Sequence, residues 1–346
     1  MPDTIPVGVF TDVGGAHLGA YFAGLAACKE AENVVLCDPS GHSVEQAKKA
    51  LGDKLAAVFD DPAKALNNAV PKLAVVSLEA RHAPPIINQV LDAGCDVFAE
   101  KPSCVRAEDF EKLVAKADSN QQLLMFAFSN RLNPPVLKAR QLIEAGTFGD
   151  PYSIEVHMVA DQTRLTRESY QKAWYTDRDR SGGGILTWLG IHWLDLAMLF
   201  LNSRVTDVSG FMRNAGGQPI NMEDSVAMTM RFENGVCGTM NSGYYLDKGY
   251  HSHIRLWGSK GWIEYADWLG GANPNPLIWY TTVDGMQEWD GAREPRGYTP
   301  WIRECVRASA GLRSAPISAQ EGLNVIKAIF AYYESANSGM AVKVYG

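Results

Sequence analysis

Three stretches of this sequence hold residues whose types and spacing could do chemistry. The first is Asp96–Pro102, read Asp-Val-Phe-Ala-Glu-Lys-Pro. Val97, Phe98 and Ala99 form the short apolar run of a buried strand, and Pro102 must end it, because proline cannot donate to a sheet ladder. Lys101 is thereby held at the carboxyl edge of a sheet, where open α/β sheets bind ligands. An ammonium there can donate hydrogen bonds to a hydroxyl or carbonyl and stabilise developing negative charge. Taken alone, a Lys-Pro pair reads first as a surface turn.

The second stretch is Gly182–Leu196. Its leading glycines permit close backbone approach, and a helix follows them. Trp188 and His192 are four residues apart and share one helix face. Imidazole titrates near working pH and can take a proton from a hydroxyl. His192 is either that group or a buried core histidine; Asp195, three residues on, can hydrogen-bond it or cap a neighbouring element. The third stretch is the polar, aromatic loop Asp161–Ser181, with Arg164, Arg167, Trp174, Tyr175, Asp177 and Arg180. Aromatic faces with adjacent charges suit a sugar or polyol ring, and a loop of this length is usually functional. A solvated flap or subunit contact is the alternative.

A scaffold for these groups is readable from the start of the chain. Strands are expected at Val7–Phe10, Val34–Cys37, Ala56–Phe59, Leu73–Ser77, Val97–Ala99 and Leu123–Phe128. Helices alternate with them over His17–Ala31, Ser43–Leu51, from Asp61-Pro62, from Pro84-Pro85 to Gly94, and over Ala107–Ala117. That alternation means a doubly wound parallel sheet. Strand one, the turn Thr11–Ala16, a helix, strand two and the terminal Asp38 follow the dinucleotide pattern. The usual first two glycines fall on Thr11 and Val13, which leaves Gly14 and Gly15, so a related domain without a dinucleotide stays open. If the site is real, Asp38 accepts from the adenosine ribose hydroxyls. No arginine follows it in Pro39-Ser40-Gly41-His42, which favours NAD over NADP. His82 lies just beyond a strand's carboxyl end, near the same cleft as Lys101 or as a solvated loop residue.

Residues 1–128 are expected to form the dinucleotide-binding domain, and 129–346 to bind substrate and to oligomerise. In the second, Tyr152–Ala160, Ser225–Phe232, Val236–Ser242, Ile254–Trp257, Trp262–Tyr265 and Leu277–Thr282 read as strands of a large, mostly antiparallel sheet. Asn234-Gly235 is a strong hairpin signal. Helices start at Asn133-Pro134 and Thr299-Pro300, and Ser318-Ala319-Gln320-Glu321 is a capping box for the last helix, about 319–337. One uncovered sheet face needs a partner, so a homodimer or homotetramer through it is expected.

Composition narrows the class. Length suits two domains; 46% hydrophobic and 21% charged residues are those of a globular protein. A formal charge of −7 without basic runs argues against nucleic acid. The six cysteines are scattered, as in a reduced cytoplasmic protein. The start, Met-Pro-Asp-Thr-Ile-Pro, lacks the regions of a signal peptide. Gly184–Leu201, interrupted by Thr187, His192 and Asp195, reads as a buried helix rather than a membrane span. No Cys/His cluster has metal-ligand spacing, His251-Ser252-His253 being too little alone, so no metal is expected.

The chain resembles the Gfo/Idh/MocA oxidoreductases over nearly its whole length. The carriers are Glu100-Lys101-Pro102, Asn130-Arg131 before Pro134, Gly182–Gly184 running to Gly190-Ile191-His192, Glu223-Asp224-Ser225, Asn234-Gly235, Gly258–Gly261, and Ser335-Ala336 with Gly339. The resemblance implies a Rossmann domain, an α/β domain with a large open sheet, and hydride transfer between nicotinamide and a sugar or polyol carbon. It implies that Lys101 and His192 are catalytic and that His82 lies near the nicotinamide ribose. With Thr11, Asp12, Gly14, Gly15, Ala16 and Asp38, it puts Ser77, Glu100, Lys101 and Asn130 at the cofactor. It puts Arg131, Arg164, Trp174, Tyr175, Trp188 and His192 at the substrate. Many members carry aspartate four residues before the histidine; here Trp188 stands there, an indole that can stack on a sugar face but relays no proton. The leading expectation is an NAD-dependent dehydrogenase of a sugar, polyol or related cyclic alcohol. The alternatives are a redox-neutral NAD-dependent glycosidase, which releases aglycone without net NADH, and a non-catalytic sugar-responsive protein, which binds no nicotinamide cofactor.

Overall fold

The computed structural model describes residues 4–246, 249–267 and 275–345, so the Met1-Pro2-Asp3 start read above lies outside them. The chain forms two compact units. The first comprises Met1–Ser129, Asp179–Gly182 and Arg296–Leu323. Its strands are β1 (Ile5–Thr11), β2 (Ala31–Cys37), β3 (Leu55–Phe59), β4 (Leu73–Ser77), β5 (Asp96–Ala99) and β6 (Leu124–Phe126). They form one parallel sheet in the order β3-β2-β1-β4-β5-β6, the doubly wound arrangement the alternation of elements requires. β4 and β5 are buried at every residue, as strands covered on both faces must be.

The helices of this unit are α1 (Leu18–Ala27), α2 (Val44–Leu51), α3 (Pro62–Asn68), α4 (Ala83–Asp92) and α5 (Ala107–Ser119). α3 opens as its sequence dictates: the Asp61 side chain accepts from the Lys64 N–H at 2.8 Å, with Pro62 in the first turn. α1 is shorter than expected, because Cys28 is already extended and Ala31 begins β2. The helix Tyr298–Ser309 returns to pack on α1. Gly24 makes room for it, since a Cβ there would lie 2.2 Å from Ile302 Cγ2. Trp301, fully buried, donates its Nε1–H to the Phe126 carbonyl at 3.1 Å. The Ser318 capping box forms: Ser318 N–H and hydroxyl donate to Glu321 Oε2 at 2.9 and 2.7 Å.

The second unit comprises Asn130–Arg178, Gly183–Pro295 and Asn324–Gly346. It holds α6 (Pro134–Glu144), β7 (Pro151–Asp161), the helix Ile191–Leu201, β8 (Val205–Arg213), β9 (Ser225–Phe232), β10 (Cys237–Leu246), β11 (Tyr250–Gly258), β12 (Gly261–Asp267), β13 (Leu277–Thr281), β14 (Gly285–Glu288) and β15 (Val342–Lys343). The nine strands form one sheet, β14-β13-β12-β11-β7-β10-β9-β8-β15. Every pairing is antiparallel except β7 with β10. Ile154, Val156, Met158, Met228, Met230, Met240, Ile254 and Leu256 point to the covered face; Glu155, His157, Thr229 and Thr239 point to the other. β9 and β10 turn at Asn234-Gly235, with Gly235 at φ +86°. β8, β14 and β15 were not anticipated; β8 keeps only Val205 and Val208 buried, too weak an alternation to announce a strand. The helix Ile191–Leu201 is buried at ten of eleven positions, as a core helix is.

Candidate active site

In the first unit the carboxyl ends of β1, β2 and β4 border a cleft of about 260 Å³. Phe10, Thr11, Asp12, Cys37, His82 and Ile86 are among its walls. The turn beneath it does with shifted glycines what the dinucleotide pattern requires. Gly14 sits at φ +93°, open to glycine at little cost. Gly15 lets α1 close onto the sheet: a Cβ there would lie 2.1 Å from Thr11 Oγ1 and 3.0 Å from the Ser77 carbonyl. Thr11 donates its hydroxyl to that carbonyl at 2.9 Å, and Ser77 Oγ donates to the Ala16 carbonyl at 2.8 Å, so β1, the turn and β4 are tied together. Asp12 Oδ1 accepts from Val13 N–H at 2.7 Å.

Asp38, at the end of β2, is buried and oriented. Its Oδ1 accepts from Ser40 N–H and hydroxyl at 3.1 and 2.6 Å, and Oδ2 accepts from Ser43 N–H at 2.7 Å. One lone-pair direction of Oδ2 remains for a further donor. The glycine cradle, the cleft and this carboxylate suit an adenosine with a pyrophosphate at the start of α1. His82 lines the same cleft, accepts from Arg81 Nε at 3.1 Å, and is exposed.

Lys101 follows β5 and is 1% exposed. Burial pushes its ammonium down to about 8, against the nearby Glu100 charge, which pulls it up. Glu100 is itself the hub of a buried cluster. Its carboxylate accepts from the Lys101 N–H at 3.1 Å and from Tyr21 Oη, and meets His17 Nδ1 at 3.1 Å. Tyr298 from the returning helix stacks on the His17 ring, 4.0 Å between centroids. Two residues of the α1 amino terminus thus hold the residue beside Lys101. Glu79, after β4, is clamped in the same unit by Arg81 and by Arg180, whose Nε donates at 3.1 Å.

In the second unit the glycine run does its expected work. A Cβ on Gly183 would lie 2.1 Å from Tyr333 Oη, and one on Gly184 would lie 2.1 Å from the Glu223 carbonyl. Glu223 Oε1 accepts from Gly184 N–H at 2.9 Å, Leu186 N–H at 3.4 Å and Tyr333 Oη at 2.8 Å. Burial raises its carboxyl from the ordinary value, those donors opposing, and Oε2 meets no hydrogen-bond donor among the described residues. The chain then winds a π-turn, Leu186–Gly190, straight into the helix Ile191–Leu201; such turns are frequent at functional sites. Trp188 is on the turn and His192 begins the helix, buried.

Trp188 is stacked on Tyr175, with ring centroids 4.3 Å apart and planes at 15°, and meets Trp174 edge-on at 5.4 Å. One indole face is therefore covered by a phenol ring. Tyr175 meets Tyr170 at 4.8 Å, and Tyr170 Oη lies 3.3 Å from Tyr244 Oη. Arg131, expected at the substrate, is buried and grips Asp195: Nε donates at 2.9 and 3.1 Å and a terminal nitrogen at 2.6 Å. Asp195 is thus an arginine partner. Asn130 is half-buried in the turn Ser129–Leu132. The loop of the sequence reading is four short helical turns, Gln162–Arg164, Glu168–Gln171, Trp174–Thr176 and Arg178–Ser181.

Sequence reasoning missed His17, Tyr21 and Tyr298 around Glu100, and Glu223 as the anchor of the glycine run. Their partners lie tens to hundreds of residues away, so no local pattern marks them. It also missed that register brings His253 opposite His157, rings stacked at 4.6 Å, with Glu155 Oε1 2.8 Å from His157 Nε2.

Comparison with known proteins gives the same architecture. A family profile described as "Oxidoreductase family, NAD-binding Rossmann fold" matches residues 8–128, and one described as "GFO/IDH/MocA C-terminal domain" matches residues 136–264. D-glucoside 3-dehydrogenase of Escherichia coli is 24% identical over 332 residues, 90% of each chain. The scyllo-inositol 2-dehydrogenase (NAD(+)) of Bacillus subtilis is 24% identical over 257 residues, 72% of this chain and 71% of its own. Among solved structures, levoglucosan dehydrogenase with NADH and levoglucosan superposes with a TM-score of 0.84 at 18% identity, covering 98% of this chain and 99% of its own.

Proposed function

We propose, from the premise that this chain belongs to the Gfo/Idh/MocA oxidoreductase family, that it oxidises a secondary hydroxyl of a sugar or polyol with NAD. The chain is an NAD-binding oxidoreductase with a Rossmann domain. When bound, the nicotinamide supplies the hydride acceptor. The chain's own residues do the rest. The ammonium of Lys101 donates to the substrate oxygen, orients it and stabilises alkoxide character. His192 accepts the hydroxyl proton. Arg131 positions the His192 helix through Asp195. The observation that carries this reading is Lys101, fully buried at the carboxyl end of β5 and held beside a carboxylate with three partners. A buried ammonium is costly, and keeping one at a ligand-binding sheet edge fits a catalytic use.

The first test is titration of NAD and NADP into the protein, followed by tryptophan fluorescence, then a screen of sugars and polyols for NADH production. Tighter NAD binding and NADH formation with a member of the screen are expected; no binding of either cofactor would end the enzyme reading. Asp38→Ala is expected to weaken NAD binding by roughly tenfold or more, the loss of a charge-assisted bond to a ribose hydroxyl, and to weaken NADP binding less. Equal loss for both cofactors would mean that Asp38 only shapes the Pro39–Ser43 loop.

The open face of the nine-stranded sheet is assigned to a second copy of the chain. Phe211, 79% exposed, stands on it beside Ala227, and half-buried Trp257, Trp262 and Tyr280 are cross-strand neighbours. Phe211→Lys is expected to shift the species seen by light scattering toward monomer. The cytoplasm is the proposed location.

A further inference from the structure

Arg164 ends the helical turn that leaves β7. Register brings two phenols to that strand end: Ala160 is opposite Tyr244 on β10 and opposite Tyr250 on β11. The Arg164 guanidinium carbon lies 4.9 Å over the Tyr250 ring, and the Tyr170 and Tyr250 hydroxyls face the group. Tyr170 Oη in turn approaches Tyr244 Oη. From Tyr170 the aromatic contacts continue through Tyr175 to Trp188, four residues before His192. Arg164 therefore stands at the far end of a continuous aromatic wall that begins at the helix of the proposed base.

What faces this guanidinium is unusual for its burial. It is half-buried, and among the described residues it forms no ion pair with a carboxylate. Asp161, three residues earlier, accepts instead from Thr163 N–H and hydroxyl at 2.8 and 2.5 Å. Phenol oxygens are neutral acceptors: those of Tyr170 and Tyr250 hydrogen-bond the guanidinium, and the Tyr250 ring lies against it. The N–H fork remains suited to the bidentate hydrogen bonding that a carboxylate gives and a hydroxyl cannot. Burial works against the charge and the two phenols support it; an arriving anion adds an opposite full charge to those neutral dipoles. Arg167 adds positive charge near the Tyr175 hydroxyl.

We propose that Arg164, with Tyr170, Tyr244 and Tyr250, forms a carboxylate subsite, so that the substrate is an acidic sugar or polyol of the uronate kind. This rests on the dehydrogenase reading. The subsite fixes the acid group at the Arg164 end of the aromatic wall, against which the rest of the substrate lies. It discriminates by charge, since a carboxylate pairs with the guanidinium and a neutral sugar does not.

The test compares matched pairs, glucose with glucuronate and galactose with galacturonate, and adds glucose 6-phosphate. NADH formation gives kcat/KM, and calorimetry gives binding in the presence of NAD without relying on turnover. The expected result is a kcat/KM for an acid at least ~30-fold above its neutral partner. Arg164→Gln should bring that ratio to near one, chiefly through KM, and Arg164→Lys should restore part of it. Tyr250→Phe, a milder change, should reduce the ratio with the thermal midpoint kept. Neutral sugars oxidised as well as acids, or a ratio untouched by Arg164→Gln, overturns the subsite. Preference for the phosphate with the same Arg164 dependence overturns the carboxylate assignment. Arg164-dependent binding of glucuronate without oxidation of any compound upholds the subsite and sinks the dehydrogenase reading. No binding and no oxidation of any acid overturns the subsite.

Discussion

Lys101→Met lowers turnover by about two to four orders of magnitude while NAD binding stays within a few-fold. Methionine fills the buried space with a chain of similar length and loses the ammonium, so fold and cofactor cleft are spared while the oxygen loses its donor. A pH profile separates this from a structural effect. Burial holds the wild-type amine at about 8, far below an ordinary lysine. The protonated form is the one that donates, so the Lys101 contribution is full below that value and activity falls as pH rises through about 8, near tenfold per unit beyond it. The Met variant, working without the group, lacks this limb. Glu100→Gln removes the charge that supports the ammonium, so the limb moves to lower pH. Unchanged turnover in Lys101→Met, or a flat wild-type profile between pH 7 and 9.5, would remove Lys101 from the mechanism.

The second large effect is on stability. Glu223→Ala leaves Gly184 N–H, Leu186 N–H and Tyr333 Oη without their common acceptor inside the second unit. Orphaned buried donors cost ~1–3 kcal/mol each at most, so a loss of about 3 kcal/mol is expected, read as a lower urea midpoint. Glu223→Gln keeps an acceptor oxygen and should lose about 1 kcal/mol or less. The pH dependence of this site has an uncommon sign. The folded carboxyl titrates above its unfolded value because burial disfavours the charge. Proton uptake on folding therefore stabilises the protein as pH falls through the folded carboxyl's raised titration, and the wild-type advantage over Glu223→Gln grows as pH falls. If Glu223→Ala melts as the wild type does, the carboxylate is not the anchor of the π-turn.

What the sequence disclosed follows from how local each signal is. The strand–helix alternation, the Asp61-Pro62 start, the Asn234-Gly235 hairpin and the Ser318–Glu321 box each depend on neighbours within a turn or two, and each appears where its chemistry puts it. Lys101 was placed by one proline. The dinucleotide turn looked poor because the pattern counts positions, whereas the backbone needs only one residue at positive φ and one without a Cβ. Gly14 and Gly15 meet those needs one after the other. Contacts across long separations left no trace: Glu100 with Tyr21, Arg131 with Asp195, Glu223 with Tyr333. Trp188 offers stacking faces by its type, and nothing local says that Tyr175 lies on one of them. The weakly alternating β8 and the π-turn at Leu186–Gly190 have no composition of their own.

The return of Arg296–Leu323 to the first unit gives folding an order. All six strands of the amino-terminal sheet leave the ribosome within the first 126 residues. The helix Tyr298–Ser309 that covers α1 arrives last: Thr299 donates to the Ala20 carbonyl across 279 residues of chain, and Trp301 donates to the Phe126 carbonyl. The nascent sheet must therefore wait, with the Tyr21 and Gly24 side of α1 uncovered, while the whole strand-rich middle of the protein is synthesised. Such a long closure slows the final step and lengthens the time an apolar helix face is open to chaperones and to self-association. A premature stop anywhere before Trp301 damages the end of the molecule farthest from it in sequence.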